Sequence, residues 1–269
     1  MNADGKNQAQ KEAAPGATER MSDRKIHEEL YQMRIELAAM LKNNRLLRSA
    51  VQEVNRIDMV RAAMILRSTK HDKLPVERIL DGELPKVVPV KDYVFIENFS
   101  NLVRIAFSNL EMGNSLDKHL LISGYRILSE NENGYFRKSN PVVYTFNHVP
   151  PHAVDTEDRL TECLRRVYSR ESGNNIILKA MYIHNKIIDI YPFEDFNGEL
   201  AIFGMNYYLL ENGLAPINMG LTRQDYVNQV SDCLKGIHQE QFYQFLCGAV
   251  YDKMSGTIEA CREYINNQD

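Results

Sequence analysis

The chain has 269 residues, of which 44% are hydrophobic and 25% charged, with a formal net charge of -4. A chain of this size buries one substantial core with room for a smaller helical extension, and its mild acidity supplies no basic field for nucleic acid. No apolar run is long enough to span a bilayer, and residues 1–20 lack the apolar stretch of a secretion signal, so neither a membrane anchor nor export is expected.

Residues 1–22 are rich in Ala, Gly, Gln, Lys and Glu with almost no large apolar side chain, and are read as a disordered tail. A helical region over 23–115 follows. Ile26, Leu30, Met33, Leu37 and Met40 recur at steps of four and three, the stripe of an amphipathic helix. Its simplest use is packing on the domain; the alternative is pairing with a second copy in a homo-oligomer. A further helix is read over about 51–67. Pro85, Val87-Val88 and Pro89 mark a loop before a helix over roughly 93–112, which stops at Gly113-Asn114. Residues 116–250 form the core, and 251–269 close the chain as a helix or tail.

Within the core, Tyr144-Thr145-Phe146 alternates polar and aromatic side chains between turn-prone Asn140 and Pro150, which predicts one side of a short β-hairpin. Ile176, Ala180, Ile183, Ile187 and Ile190 mark a buried helix face. Proline has no amide donor and pushes the preceding residue toward extended geometry, so Pro192 predicts a stop near Tyr191. A second helix is expected from Glu199 to Glu211, with Leu200, Phe203, Tyr207 and Leu210 on one side and Asn212-Gly213 as its stop. Asn197 and Gly198 then lie at a helix N-terminus, where bare amides and the helix dipole suit an anion. The competing reading is a plain helix corner with Asn197 as N-cap. Cys163, Cys233, Cys247 and Cys261 are widely spaced with no C-x-x-C pair, as in an intracellular protein with reduced thiols, so a cytoplasmic location is expected.

The stretch Ile190-Tyr191-Pro192-Phe193-Glu194-Asp195-Phe196-Asn197-Gly198-Glu199-Leu200-Ala201-Ile202 resembles the active-site loop of the Fic family, H-x-F-x-D/E-G-N-G-R-x-x-R. Pro192, Phe193, Asp195, Asn197 and Gly198 carry the likeness. Gly134-Tyr135-Phe136-Arg137 and Val142-Val143-Tyr144 look like the family's G-x-x-R run and substrate-docking flap. Val149-Pro150-Pro151-His152-Ala153-Val154 matches its P-P-x-x-V entry to the next helix, and His184 lies where a histidine often precedes the loop. The resemblance covers about residues 60–250 and implies a mainly α protein: a Fic-type helical bundle with a short β-hairpin flap and an N-terminal helical extension. It also implies ATP and Mg²⁺ as the means of moving AMP onto a protein hydroxyl, if that activity is retained.

Four positions depart from the pattern. Tyr191 stands at the family's histidine base, Phe196 at its first loop glycine, and Glu199 and Ile202 at its two arginines. A phenol of pKa near 10 is ionised in about one molecule in a thousand at pH 7, a handicap of about 4 to 5 kcal/mol for a base. Glu199 reverses the charge that would hold a triphosphate, Ile202 offers no donor, and Phe196 adds bulk where phosphate approaches the backbone.

The resemblance makes Asp195 a Mg²⁺ ligand if nucleotide binds; a helix-capping role is the alternative. His184, flanked by Ile183 and Ile187, reads as a hydrogen-bonded core histidine. The family's regulatory S/T-x-x-x-E-G/N helix corresponds to Leu66 through Lys73, where no glutamate occurs.

Three readings follow, in descending order. The first is a Fic-fold binding or regulatory module without adenylylation activity, with Tyr144, Thr145 and Phe146 as a peptide-docking edge for a protein partner. The second is a transferase with another phosphate-containing donor, with Tyr191 as base or acceptor and Asn197 and Gly198 holding phosphate. The third is a structural or oligomer-forming helical protein.

Overall fold

The computed structural model describes residues 23–67, 76–83 and 88–268; the tail expected over 1–22 and the regulatory stretch beyond Arg67 lie outside the described residues. Ten α-helices occur among the described residues: α1 (Asp23–Lys42), α2 (Arg45–Met64), α3 (Val76–Leu80), α4 (Val90–Glu111), α5 (Lys118–Ser129), α6 (Thr156–Tyr168), α7 (Ile176–Ile190), α8 (Asn197–Glu211), α9 (Arg223–Leu234) and α10 (Gln239–Asn266).

Four helix starts follow from side-chain caps. Asn44, Asp117, Asn175 and Thr222 each have extended backbone and accept a bond from an amide in the first turn. Each such cap contributes about 1 kcal/mol.

The antiparallel pair α7 and α8 is the centre of the molecule. Every residue of α8 from Asn197 to Leu209 is buried, which requires cover on all sides. That cover comes from α2, α4 and α5 on one flank and from α7 on the other, while α6, α9 and α10 back α7. A fully buried Leu, Ile or Phe contributes about 1.5–3 kcal/mol, and Phe203, Leu200, Ile183 and Ile187 are all of that kind.

The stripe on α1 packs inward as its spacing predicts. Leu30 and Leu37 are buried, and Ile26, Met33 and Met40 pack half-buried against the same core. The helix lies along α10 and α2. His27 Nε2 and Tyr243 Oη share a hydrogen bond of 2.6 Å, and Asn175 Nδ2 donates to the same phenol at 2.7 Å, which joins α1, α10 and α7.

Two expectations differ from the structure. The expected hairpin is absent: the only pairing among the described residues is one antiparallel bridge, Val143 to His148, closed by a 3-10 turn at Tyr144–Phe146. Side-chain anchors explain the turn. Phe146 is buried with its ring edge-on to Tyr226, His148 Nε2 bonds the Asp189 carbonyl at 2.8 Å, and Asn147 takes the left-handed conformation that closes the turn. The boundary expected at 250/251 falls inside α10, which runs unbroken because Val250, Met254, Ile258 and Cys261 continue one buried face.

Candidate functional site

The site is the corner between α7 and α8. Tyr191 ends α7 in the left-handed region (φ 50°, ψ 61°), not in the extended geometry that proline favours in the residue before it. Phe196 precedes α8 in the same region (φ 60°, ψ 15°). Each costs about 1–2 kcal/mol in a residue with a side chain, so local bonds must hold the loop.

Asn197 supplies most of them. Its Oδ1 accepts from the Phe193 amide at 2.8 Å and its Nδ2 donates to the Phe193 carbonyl at 2.9 Å. The side chain is buried and committed to the loop's own backbone. Asp195 is exposed, and its Oδ1 accepts from the Phe196 amide at 2.8 Å. Phe193 is buried between the rings of Tyr125, at 4.7 Å, and Phe136, at 5.7 Å.

A second set of bonds comes from the 137–140 segment. Arg137 is buried, and its guanidinium donates to the carbonyls of Tyr191 at 2.7 Å, Ser139 at 2.6 Å, Ile190 at 3.3 Å and also Pro151. Burial pushes its pKa down, opposed by Glu194. Glu194 accepts from the Lys138 amide and from Ser139 Oγ, which hold its carboxyl below the usual range despite partial burial. Arg137 therefore staples the loop, and its donors are taken up by main-chain oxygens.

The N-terminus of α8 is covered by residues from the end of α2. A methyl group added to Gly198 would lie 2.2 Å from Leu66 Cδ1, so Leu66 fills the space in front of this glycine. Arg67 Nη1 lies 3.6 Å from Glu199 Oε1, and its guanidinium sits 4.5 Å from the Phe95 ring centre and 5.4 Å from that of Phe196. Those two rings are parallel, 6.3 Å apart. Arg223 Nε donates to the Leu66 carbonyl at 3.2 Å. Burial lifts Glu199 to about 7, with Arg67 opposing.

Tyr191 is half-buried, and burial raises its pKa; Asp195 and Glu199 add to the rise while Asn197 opposes it. Less of the phenol is ionised here than in water. His184 is fully buried, with Nε2 bonded to Tyr226 Oη at 2.7 Å and Nδ1 to Asn185 Oδ1 at 2.9 Å, and burial lowers its pKa to about 4. Ile202 is packed with no exposed surface.

The structure thus brings Tyr191, Asp195, Asn197, Gly198 and Glu199 together at one helix entrance and leaves the 144–146 turn apart from it, on α9. Tyr144 in that turn is 88% exposed and Thr145 is also exposed, whereas Phe146 faces inward. Mg²⁺ with a polyphosphate does not fit these residues. Asp195 could supply the one carboxylate that a phosphate-held Mg²⁺ needs, but Leu66 fills the glycine cradle that would receive the phosphates. Sequence reasoning missed Arg67; its one signal was a place at the start of the stretch aligned with the family's regulatory helix.

Residues 115–209 match the Fic/DOC family. Over 87 residues the chain is 33% identical to proteins described as protein adenylyltransferase Fic from Drosophila persimilis and Drosophila pseudoobscura pseudoobscura, covering 32% of this chain and 17% of each relative. The chain thus spans about a sixth of the length of those curated relatives. Among solved structures, the fold is similar to Fic-1 of C. elegans, with a TM-score of 0.68 at 16% identity over 90% of this chain and 73% of that one. It is also similar to a Fic domain containing signaling protein from Bacteroides thetaiotaomicron, with a TM-score of 0.73 at 15% identity over 88% of this chain and 97% of that one. At these identities the structural likeness bears on fold alone, and it agrees with the sequence match: residues 115–209 form a domain of the Fic/DOC family.

Proposed function

We propose that this chain is a binding or regulatory module of Fic fold rather than a protein adenylyltransferase. One observation carries the reading: Leu66 and Arg67 occupy the helix entrance where nucleotide phosphates would have to sit, with Arg67 held by Glu199. The polarity also supports it. An anion entering this corner meets Glu194 and Asp195, while Arg137 is taken up by four carbonyls and Arg67 faces Glu199. The 144–146 turn, with Tyr144 projecting into solvent, is the part of the family architecture left open for a protein or peptide partner.

Calorimetric titration with ATP and Mg²⁺ tests the reading. No saturable heat is expected for the unaltered chain up to millimolar nucleotide. Micromolar binding lost in Asp195→Ala would overturn the proposal and restore the transferase reading with an altered base.

A further inference from the structure

At the far end of α8 from the loop, where its C-terminus meets α1, α2, α4 and α10, lies a cavity of about 340 Å³. Its walls are apolar, with Leu37, Leu41, Val51, Phe107, Leu210 and Leu214 among them. Two polar side chains on it stand out because nothing in the protein satisfies them. Arg34, half-buried on α1, makes no hydrogen bond or ion pair with a described residue, and its Nε is buried without an acceptor. Asn55 on α2 is 6% exposed, and its amide makes no hydrogen bond, with Oδ1 buried and unpartnered.

The remaining polar groups on the walls have partners. Arg48 caps the Leu41 and Lys42 carbonyls at the end of α1, Gln52 bonds Glu111 at the rim, and Thr257 bonds the Lys253 carbonyl. Buried polar groups are nearly always satisfied, so a guanidinium and an amide left open on one apolar cavity describe the complement of a ligand. A guanidinium selects an oxyanion such as a carboxylate. The walls ask for a hydrocarbon body. At about 30 Å³ per non-hydrogen atom, the space holds about eleven such atoms. Arg34 and Leu214 also border an adjoining cavity of about 320 Å³ on the His27 and Tyr31 side of α1, so the guanidinium stands at the partition between two spaces.

We propose that this cavity is a binding site for an amphipathic monocarboxylate, with the acid group accepting from the Arg34 guanidinium and from Asn55 Nδ2, and an unbranched or aromatic hydrocarbon body among Leu41, Val51, Phe107 and Leu210. The site is independent of the α7–α8 corner. It joins the N-terminal helices α1 and α2 to the end of the central helix, so occupancy cross-links the extension to the core.

Octanoate, whose size matches the cavity, is the probe, with 1-octanol and octylamine as partners of the same length and different head group. Calorimetry and thermal shift on the full chain should show saturable octanoate binding, at least tenfold tighter than either partner. Arg34→Met and Val51→Phe, the first removing the charge and the second filling the apolar end, should each weaken octanoate at least tenfold. Asn55→Leu should raise the melting temperature, because an unsatisfied amide is removed, while weakening octanoate several-fold. Equal affinity for octylamine, an unchanged affinity in folded Arg34→Met, or no saturable octanoate binding at millimolar concentration would each overturn the proposal.

Discussion

Arg67 and Glu199 face each other across 3.6 Å at the head of α8, with the guanidinium lying over the rings of Phe95 and Phe196. The carboxyl is almost wholly buried, and the arginine Nε is buried without a partner. Cutting the pair should therefore cost stability, since an isolated acid is left in an apolar setting. Arg67→Met is expected to lose about 2 kcal/mol in urea unfolding at pH 7.5. The double change Arg67→Met with Glu199→Met should recover most of that loss, because apolar replacements of a buried pair are often neutral. A coupling energy indistinguishable from zero would show the two groups are neighbours only.

The same carboxyl makes stability depend on pH. Its ordinary value of 4.5 rises to about 7 in the fold, so between those values the native chain holds a proton that the unfolded chain has released. Raising pH through this window costs about 3 kcal/mol from Glu199 alone. His184 acts in the opposite sense. Its value falls from 6.5 to about 4, so the stability from its neutral burial is present above 6.5 and is lost as pH falls toward 4. The two slopes oppose each other where they overlap. Glu199→Gln should remove only the loss toward alkaline pH, gaining relative to the unaltered chain by about 3 kcal/mol between pH 4.5 and 7.5. Parallel urea midpoints for both proteins across that range check this.

Arg137 is buried and serves four carbonyl oxygens from the loop and the 139–151 segment. Lysine has three donors on a point charge and no planar fork, so it cannot reach all of them. Arg137→Lys is expected to destabilise by at least about 3 kcal/mol and to open the Asp195–Phe196 bond to limited proteolysis. A wild-type melting temperature would show that the carbonyls find other donors.

Placing an imidazole at position 191 tests whether the base is the limiting lack. Tyr191→His is expected to transfer no label from radioactive ATP to itself, because Leu66 still fills the space before Gly198 and Glu199 still occupies Arg67. Incorporation by this single variant would show that the entrance opens freely in solution.

Much of the fold was legible in the sequence because its signals are local. Pro192 and Asn212-Gly213 bound α7 and α8 within two residues, and the isoleucine and methionine spacings identified the buried faces of α7 and α1. His184 as a satisfied core histidine followed from its isoleucine neighbours. What was not legible depends on contacts between residues remote in the chain. The aromatic alternation at 144–146 suggested a strand, yet burial of Phe146 against Tyr226 and the bond from His148 to Asp189 fix a turn. Asn197 carried the letter of a phosphate contact, yet in the fold its amide is bonded to the Phe193 backbone. Nothing in the residue order of Leu66 or Arg67 says where α2 ends in space, nor does Arg34 or Asn55 signal a shared cavity.

The complete enclosure of α8 bears on how this corner responds to change. Ile202 has no surface in contact with solvent, and its neighbours on every side are hydrocarbon-rich helices. A guanidinium introduced there would be stranded in a medium that solvates it poorly, and the carboxyl one turn before it, Glu199, already faces Arg67. Packing thus acts as a ratchet. The better the bundle closes around this helix, the steeper the route by which single substitutions could turn the corner into a grip for polyphosphate.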